Sequence, residues 1–289
     1  MSDAVLISAP DLRAGLETPG AQPPVLLDCR HWLAQPAQGR EAWLAGHIPG
    51  AHFAHMDEDL SGTHSPGSGR HPLPQREALA QSLARWGITP DSRVVAYDAH
   101  SGAMAARAWW LLRWMGVRQV QVLDGGLPAW TDAGGALESG ATPAAPGATP
   151  VTWPEAQRAT RSTADVLAGI GQQRLIDARS ADRYRGENET LDPLAGHIPG
   201  ALNRFYGLNL GPDGRFLAPD VLRAQWAELG VTADTAAQTL HQCGSGVTAC
   251  HNLLALAHAG LPPGVLYPGS WSAWCSDAGR PRAVGVEAA

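Results

Sequence analysis

The residues best suited to covalent chemistry lie in one short run, Cys243-Gly244-Ser245-Gly246-Val247-Thr248-Ala249. The apolar stretch Gln238–Gln242 before it reads as a buried strand, and Val247–Ala259 has helical spacing. A cysteine at a strand's carboxyl end, with glycine one and three residues on, can sit in a tight cradle of backbone N–H groups. Glycine permits positive φ and close approach there, and the helix N-terminus adds unpaired donors and the positive end of its dipole. Such surroundings favour the thiolate, which is the nucleophile. A thiol of ordinary pKa (~8.5) is about 3% ionised at pH 7, and a depression of roughly two units makes it about three-quarters ionised. That depression is worth about 2.7 kcal/mol, more than a dipole usually supplies, so several N–H contacts must act together. The competing role for Cys243 is that of a small buried hydrophobe. A phosphatase-type cysteine loop needs an arginine six residues on to clamp phosphoryl oxygens, and here that position is Ala249, followed by Cys250.

The elements that must hold this loop occur twice. Residues 26–30 read LLDCR and 175–179 read LIDAR; AGHIPGA stands at 45–51 and again at 195–201; DGGLPAW at 124–130 matches PGSWSAW at 268–274. Three matches in one order, at offsets of 144 to 150, indicate a tandem duplication. The Pro/Ala-rich stretch at 141–155 lacks apolar periodicity and reads as a linker between a domain at 1–140 and a domain at 156–289. In the first half Val25–Asp28, Arg93–Asp98 and Gln119–Leu123 read as buried strands; Arg174–Asp177, Gln238–Gln242 and Val265–Tyr267 are their partners. Ala103–Met115 and Val247–Ala259 read as helices stopping at Gly116 and Gly260. Strands apolar on both faces, alternating with helices, imply a mainly parallel sheet covered on both sides, with ligands beyond the strands' carboxyl ends. The duplication also supplies an internal control. Ala99 stands where Cys243 stands, while Ser101-Gly102 match Ser245-Gly246, so one copy keeps the scaffold and lacks the thiol.

Composition excludes several alternatives. The chain has 289 residues, 44% of them hydrophobic, and a net charge of −6, so a basic face for nucleic acid or membrane surfaces is not expected. All 21 cationic residues are arginine, which removes a Walker-type phosphate loop, a lysine Schiff base and a lysine general base. No apolar run approaches the ~18 residues of a membrane span, and the first 20 residues lack a basic start followed by an apolar stretch, so a cytoplasmic protein is expected. Cys29, Cys243, Cys250 and Cys275 are too few and scattered for a disulfide framework, and their spacing does not suit zinc. Cys250 and Cys275 are candidate redox partners for an oxidised Cys243. His47 and His197 recur in both AGHIPGA segments, and Arg30 and Arg179 recur after Asp28 and Asp177; residues common to both halves read as structural. Trp109, Trp110 and Trp114 read as helix core.

The tandem halves, the LIDAR, GHIPGA and DGG-x-x-x-W segments, and above all CGSGVTA resemble the two-domain rhodanese-type sulfurtransferases over nearly the whole chain. The resemblance implies an α/β fold of tandem rhodanese-like domains, each a mainly parallel sheet flanked by helices on both faces, with an inactive first copy and a catalytic second. It implies a persulfide on Cys243 as the covalent intermediate, backbone N–H groups of Gly244, Gly246, Val247 and Thr248 around the bound sulfur, and no metal or organic cofactor. The acceptor would be cyanide or a thiol, including a thioredoxin-like protein.

Within that family CG[ST]GVTA is similar to the 3-mercaptopyruvate group, whereas thiosulfate-preferring members tend to carry cations in the loop. A loop without cations suits a monocarboxylate better than a dianion. The mercaptopyruvate group is understood to use a Ser–His–Asp arrangement. Ser245 matches its serine, His71 in His-Pro-Leu-Pro its histidine, and Asp59 its acid, with Asp57 as competitor. Arg183 matches the arginine that holds the donor's anionic group, with Arg185 as a helper. A second arginine is usual shortly before GHIPG; here residues 187–193 read ENETLDP, which is acidic. Two alternatives stand beside mercaptopyruvate transfer: thiosulfate as preferred donor, and a sulfur-carrying or partner-binding module with little turnover.

Overall fold

Short apolar runs bounded by loops, four to five residues in one sheet and three in the other, form the central strands of two sheets. The computed structural model describes residues 4–20, 22–145 and 151–286. Residues 146–150 of the expected linker lie outside these, as do residues 1–3 and 287–289 at the outer edges of the expected domain spans. The described chain divides into two compact units. One comprises residues up to 61, 74–157 and 210–216; the other comprises 62–73, 158–209 and the chain from 217 onward. Each unit thus includes one short segment from the other half of the sequence.

The first unit runs β1 (Leu6–Ile7), α1 (Ala9–Glu17), β2 (Val25–Asp28), α2 (Ala37–Ala45), β3 (His52–Phe53), α3 (Arg76–Arg85), β4 (Arg93–Tyr97), α4 (Ala103–Met115), β5 (Gln119–Leu123) and α5 (Gly126–Asp132). Its five strands are all parallel in the order β1-β5-β4-β2-β3, with Leu27 opposite Ala96 and Ala96 opposite Val122. The second unit runs α6 (Thr163–Ala168), β6 (Leu175–Asp177), α7 (Ala181–Arg185), β7 (Ala201–Asn203), α8 (Pro219–Glu228), β8 (Leu240–Gln242), α9 (Ala249–His258), β9 (Val265–Leu266) and α10 (Ser270–Trp274). Its parallel order is β7-β6-β8-β9, and Thr160 makes a parallel bridge to Leu266 in the place β1 has beside β5.

Val94, Val95, Ala96 and Tyr97 are all buried, as are all three residues of β8, which is the mark of a sheet covered on both faces. Helix α4 has the limits its spacing implies and ends on Gly116 at φ 107°, a left-handed cap that donates to Arg113 and Leu112 carbonyls. Trp109, Trp110 and Trp114 are buried in that helix. Strand ends at Asp98, Arg174 and Tyr267 and the helix end at Ala259 each fall one residue short of the sequence reading, and the starts of β8 and α9 differ by two. Residues 236–238 form a 3-10 turn before β8, closed by the Gln238 and Thr239 N–H groups, which bond the Thr235 and Ala236 carbonyls three residues back. Helix α9 begins at Ala249, not Val247: the Cys250 and His251 N–H groups bond the Val247 and Thr248 carbonyls three residues back, a tighter turn than the helix that follows.

The recurrent residues are structural in both units. Arg30 grips Asp28 through two nitrogens and donates to Gly46 O at 2.7 Å; Arg179 does the same with Asp177 and donates to Gly196 O at 2.9 Å. His47 and His197 each place Nδ1 2.8 Å from a carbonyl of the preceding helix, that of Trp43 and of Tyr184 respectively.

Candidate active site

The end of β8, the start of α9 and the start of α10 converge on Cys243. Its residue is 2% exposed, and its Sγ accepts the Gly246 N–H at 3.1 Å. Gly246 requires its left-handed φ of 81°, and a Cβ there would sit 2.4 Å from Pro268 O. The Cys243 N–H donates to Ser270 Oγ at 3.1 Å, while Trp271 and Ser272 N–H groups donate to the carbonyls of Cys243 and Gly244 at 3.0 and 2.9 Å. Ser270 holds φ 52°, the one positive value outside glycine among the described residues, and its hydroxyl also donates to Tyr267 O at 3.0 Å. Its counterpart in the first unit is Gly126, at φ 60°. A serine in this conformation carries a backbone cost of about 1–2 kcal/mol, offset here by the bond that fixes the cysteine's own amide. Sequence inspection missed Ser270, although the replacement of Gly126 by Ser at the matched position was the available signal.

The first unit shows what the same loop holds when the thiol is absent. The Asp98 carboxylate accepts N–H groups from His100, Gly102, Met104 and Ala105 at 2.9–3.2 Å. Gly102 is the counterpart of Gly246, so the two glycines donate to a carboxylate in one copy and to a sulfur in the other. This loop is an anion cradle by construction; the first unit fills it with its own side chain.

His71 belongs to the second unit through the 62–73 segment, and its Nδ1 lies 2.8 Å from Ser245 Oγ. Both residues are buried, at 7% and 8% exposure, so the pair is shielded from bulk water. The segment is fastened by the Arg70 N–H, which donates to Ser272 Oγ at 3.0 Å, and by Gly69, where a Cβ would lie 2.6 Å from Gly269 O. Asp59 lies in the first unit. Its Oδ1 accepts from the Ser82 hydroxyl and Arg85 at 2.8 and 2.6 Å, and its Oδ2 accepts the His55 N–H at 2.9 Å. Asp57 is exposed, and its N–H donates to His55 Nδ1.

Arg183 reaches the loop: a Cβ built on Gly244 would be 3.4 Å from its Nη1. Arg185 instead pairs on the surface with Glu187 at 2.7 Å. The acidic stretch supplies carboxylates to the arginines. Glu189 accepts from Arg183 at 2.8 Å and faces Arg179 at 3.5 Å; Asp192 pairs with Arg70 and lies 3.3 Å from Arg183. Arg70, Glu189 and Asp192 were not legible as site residues, since nothing local ties residue 70 to residue 192. Burial pushes the Asp192 carboxyl up, and Arg70 and Arg183 oppose this only in part. The Arg179 guanidinium, 4.9 Å above Trp271, is raised: burial works against its charge, but Asp177, Glu189 and the Cys243 sulfur outweigh it. Burial pushes the Cys275 thiol up to about 11 and Cys29 well above its ordinary value, which keeps both protonated. Val247 is buried, and Thr248 is the N-cap residue of α9 without a side-chain cap bond.

Comparison with known proteins follows the same division. The model of the Rhodanese-like domain matches residues 8–133 and 162–277. The chain is 47% identical, over 99% of its own length and 100% of the other's, to a Pseudomonas aeruginosa protein named "Probable 3-mercaptopyruvate sulfurtransferase". It is 30% identical to a Gallus gallus protein named "Thiosulfate sulfurtransferase", over 86% of this chain and 85% of that one. The crystal structure of SseA from Escherichia coli, described as a 3-mercaptopyruvate sulfotransferase of the rhodanese fold, superposes with a TM-score of 0.76 at 35% identity, covering 93% of this chain and 99% of SseA. Among the described residues no helix is long and apolar enough to cross a membrane.

Proposed function

The chain belongs to the rhodanese-like domain family, and from that premise we propose that it is a sulfurtransferase taking sulfur from 3-mercaptopyruvate through a persulfide on Cys243. The observation that carries this reading is the 2.8 Å contact between Ser245 Oγ and His71 Nδ1, two residues from the cysteine.

The Cys243 thiolate attacks the donor's sulfur, a sulfur–sulfur bond forms, and the donor's carbon–sulfur bond breaks with its electron pair left on carbon as the enolate of pyruvate. Ser245 delivers a proton to that carbon and recovers one from His71, giving pyruvate. Asp59 keeps in this proposal the place of the acid behind the histidine, on the strength of the resemblance alone. Arg183 holds the donor's carboxylate. The N–H groups of residues 244–248 stabilise charge on the thiolate and on the persulfide, as their counterparts stabilise the Asp98 carboxylate. The terminal sulfur then passes to a cyanide or thiol acceptor, a thioredoxin-like protein among them, in the cytoplasm, where thiols are kept reduced.

Thiosulfate is the second reading, favoured by the 30% identity to a relative named "Thiosulfate sulfurtransferase". The test is mass spectrometry of the protein after exposure to each donor. A one-sulfur mass increase localised to Cys243, and lost in Cys243→Ser, supports the proposal; sulfur transfer retained by Cys243→Ser overturns it.

A further inference from the structure

Two guanidinium groups end over the residue that follows the nucleophile. A Cβ at Gly244 would lie 2.9 Å from Arg70 Nη2 and 3.4 Å from Arg183 Nη1. The opposite edges of both groups are occupied. Arg70 Nη1 pairs with Asp192; Arg183 Nε and Nη2 bond Glu189 at 3.2 and 2.8 Å. Both carboxylates are 2% exposed. Arg70 Nη2 and Arg183 Nη1 have no hydrogen-bond partner among the described residues, and these are the nitrogens that face Gly244. Any side chain at 244 would fill the space between them.

We propose that Arg70 is the second donor-binding cation, and that Glu189 and Asp192 behind the two arginines set the site to accept one negative charge in preference to two. The proposal rests on the sulfurtransferase reading above. Arg70 thus stands where the sequence lacks an arginine at 187–193, reaching the site from another segment. The two cations and two carboxylates sum to zero. A single carboxylate gains two charge-assisted hydrogen bonds from the facing nitrogens, whereas a dianion brings a second charge for which no net positive field remains. The carboxylates also fix both guanidinia in direction, so the clamp is formed before the donor arrives.

The test compares kcat and KM for 3-mercaptopyruvate and for thiosulfate in the wild type, Arg70→Gln, Arg70→Lys, Glu189→Gln and Asp192→Asn, with thermal melts of each. Arg70→Gln is expected to raise KM for mercaptopyruvate about tenfold or more with kcat within a few-fold, and Arg70→Lys to recover part of the loss. Glu189→Gln or Asp192→Asn, each adding one net positive charge, is expected to raise the thiosulfate-to-mercaptopyruvate ratio of kcat/KM by about tenfold. Should Glu189→Gln fail to fold, Asp192→Asn carries the same expectation. An active wild type whose KM is unmoved by Arg70→Gln, or whose donor ratio is unmoved by a folded carboxylate variant, overturns this proposal alone. A wild type inactive with both donors overturns the function on which it rests.

Discussion

The Ser245 hydroxyl and the His71 imidazole stand 2.8 Å apart across 174 residues of sequence, in a pair sealed from bulk water. In the proposed mechanism a proton from this pair is needed only where sulfur leaves an enolate behind. Ser245→Ala is therefore expected to lower kcat with 3-mercaptopyruvate by about tenfold to a hundredfold, while thiosulfate turnover changes by no more than a few-fold. Steady-state kinetics with both donors checks this, and an equal loss with both would remove the relay.

Asp59 is a buried carboxylate with three donors, among them Ser82 and Arg85 of helix α3. Asp59→Asn leaves a donor where an acceptor was, and urea unfolding is expected to show a loss of about 1–3 kcal/mol. A role behind His71 adds a fall in kcat with mercaptopyruvate beyond that with thiosulfate; loss of stability without that fall would limit Asp59 to anchoring its turn.

Ser270 combines a left-handed backbone with a bond from the Cys243 amide. Ser270→Ala keeps the strain and loses the bond, whereas Ser270→Gly loses both. The glycine variant is expected to be more stable than the alanine variant by about 1 kcal/mol in chemical denaturation, with both below wild type in kcat. An alanine variant as stable as the glycine variant would mean that the geometry at 270 carries no strain.

His241, in β8 beside Trp226, is held neutral: burial, with Arg204 nearby, pushes its pKa down to about 3. The unfolded chain takes up the proton near pH 6.5 and the folded chain does not. This group accordingly costs nothing above about pH 6.5, and stability falls as the pH drops from there toward about 3, by up to about 1.4 kcal/mol per pH unit. Stability of the wild type and His241→Leu measured from pH 7 to 4 should show a shallower decline in the variant; parallel curves would refute the assignment.

What the sequence discloses here divides by range. The strands Val25–Asp28 and Gln119–Leu123, the helix Ala103–Met115 and its stop at Gly116 follow from local apolar periodicity and glycine, and they stand where read. Strands β1, β3 and β7, at two or three residues each, exist through pairing with longer neighbours and carry no period of their own. The cysteine loop was legible because its chemistry is local. Arg70 and Asp192 were not, since an ion pair between segments more than a hundred residues apart leaves no pattern in either segment; Glu189 pairs within ten residues, with Arg183 and Arg179, but read only as part of an acidic stretch. The acidic stretch at 187–193 looked like a departure from an anion site; in the fold its Glu189 and Asp192 carboxylates pair with Arg183 and Arg70. The Asp98 carboxylate in the idle loop was equally hidden, although Asp98 stands one residue before Ala99, the residue matched to Cys243.

The most direct test of the central claim is kcat/KM for 3-mercaptopyruvate against thiosulfate, side by side with one thiol acceptor. The higher value is expected for mercaptopyruvate, set by the proposed Ser245–His71 relay and a clamp of no net charge. A higher value for thiosulfate, or turnover of neither donor, would contradict it.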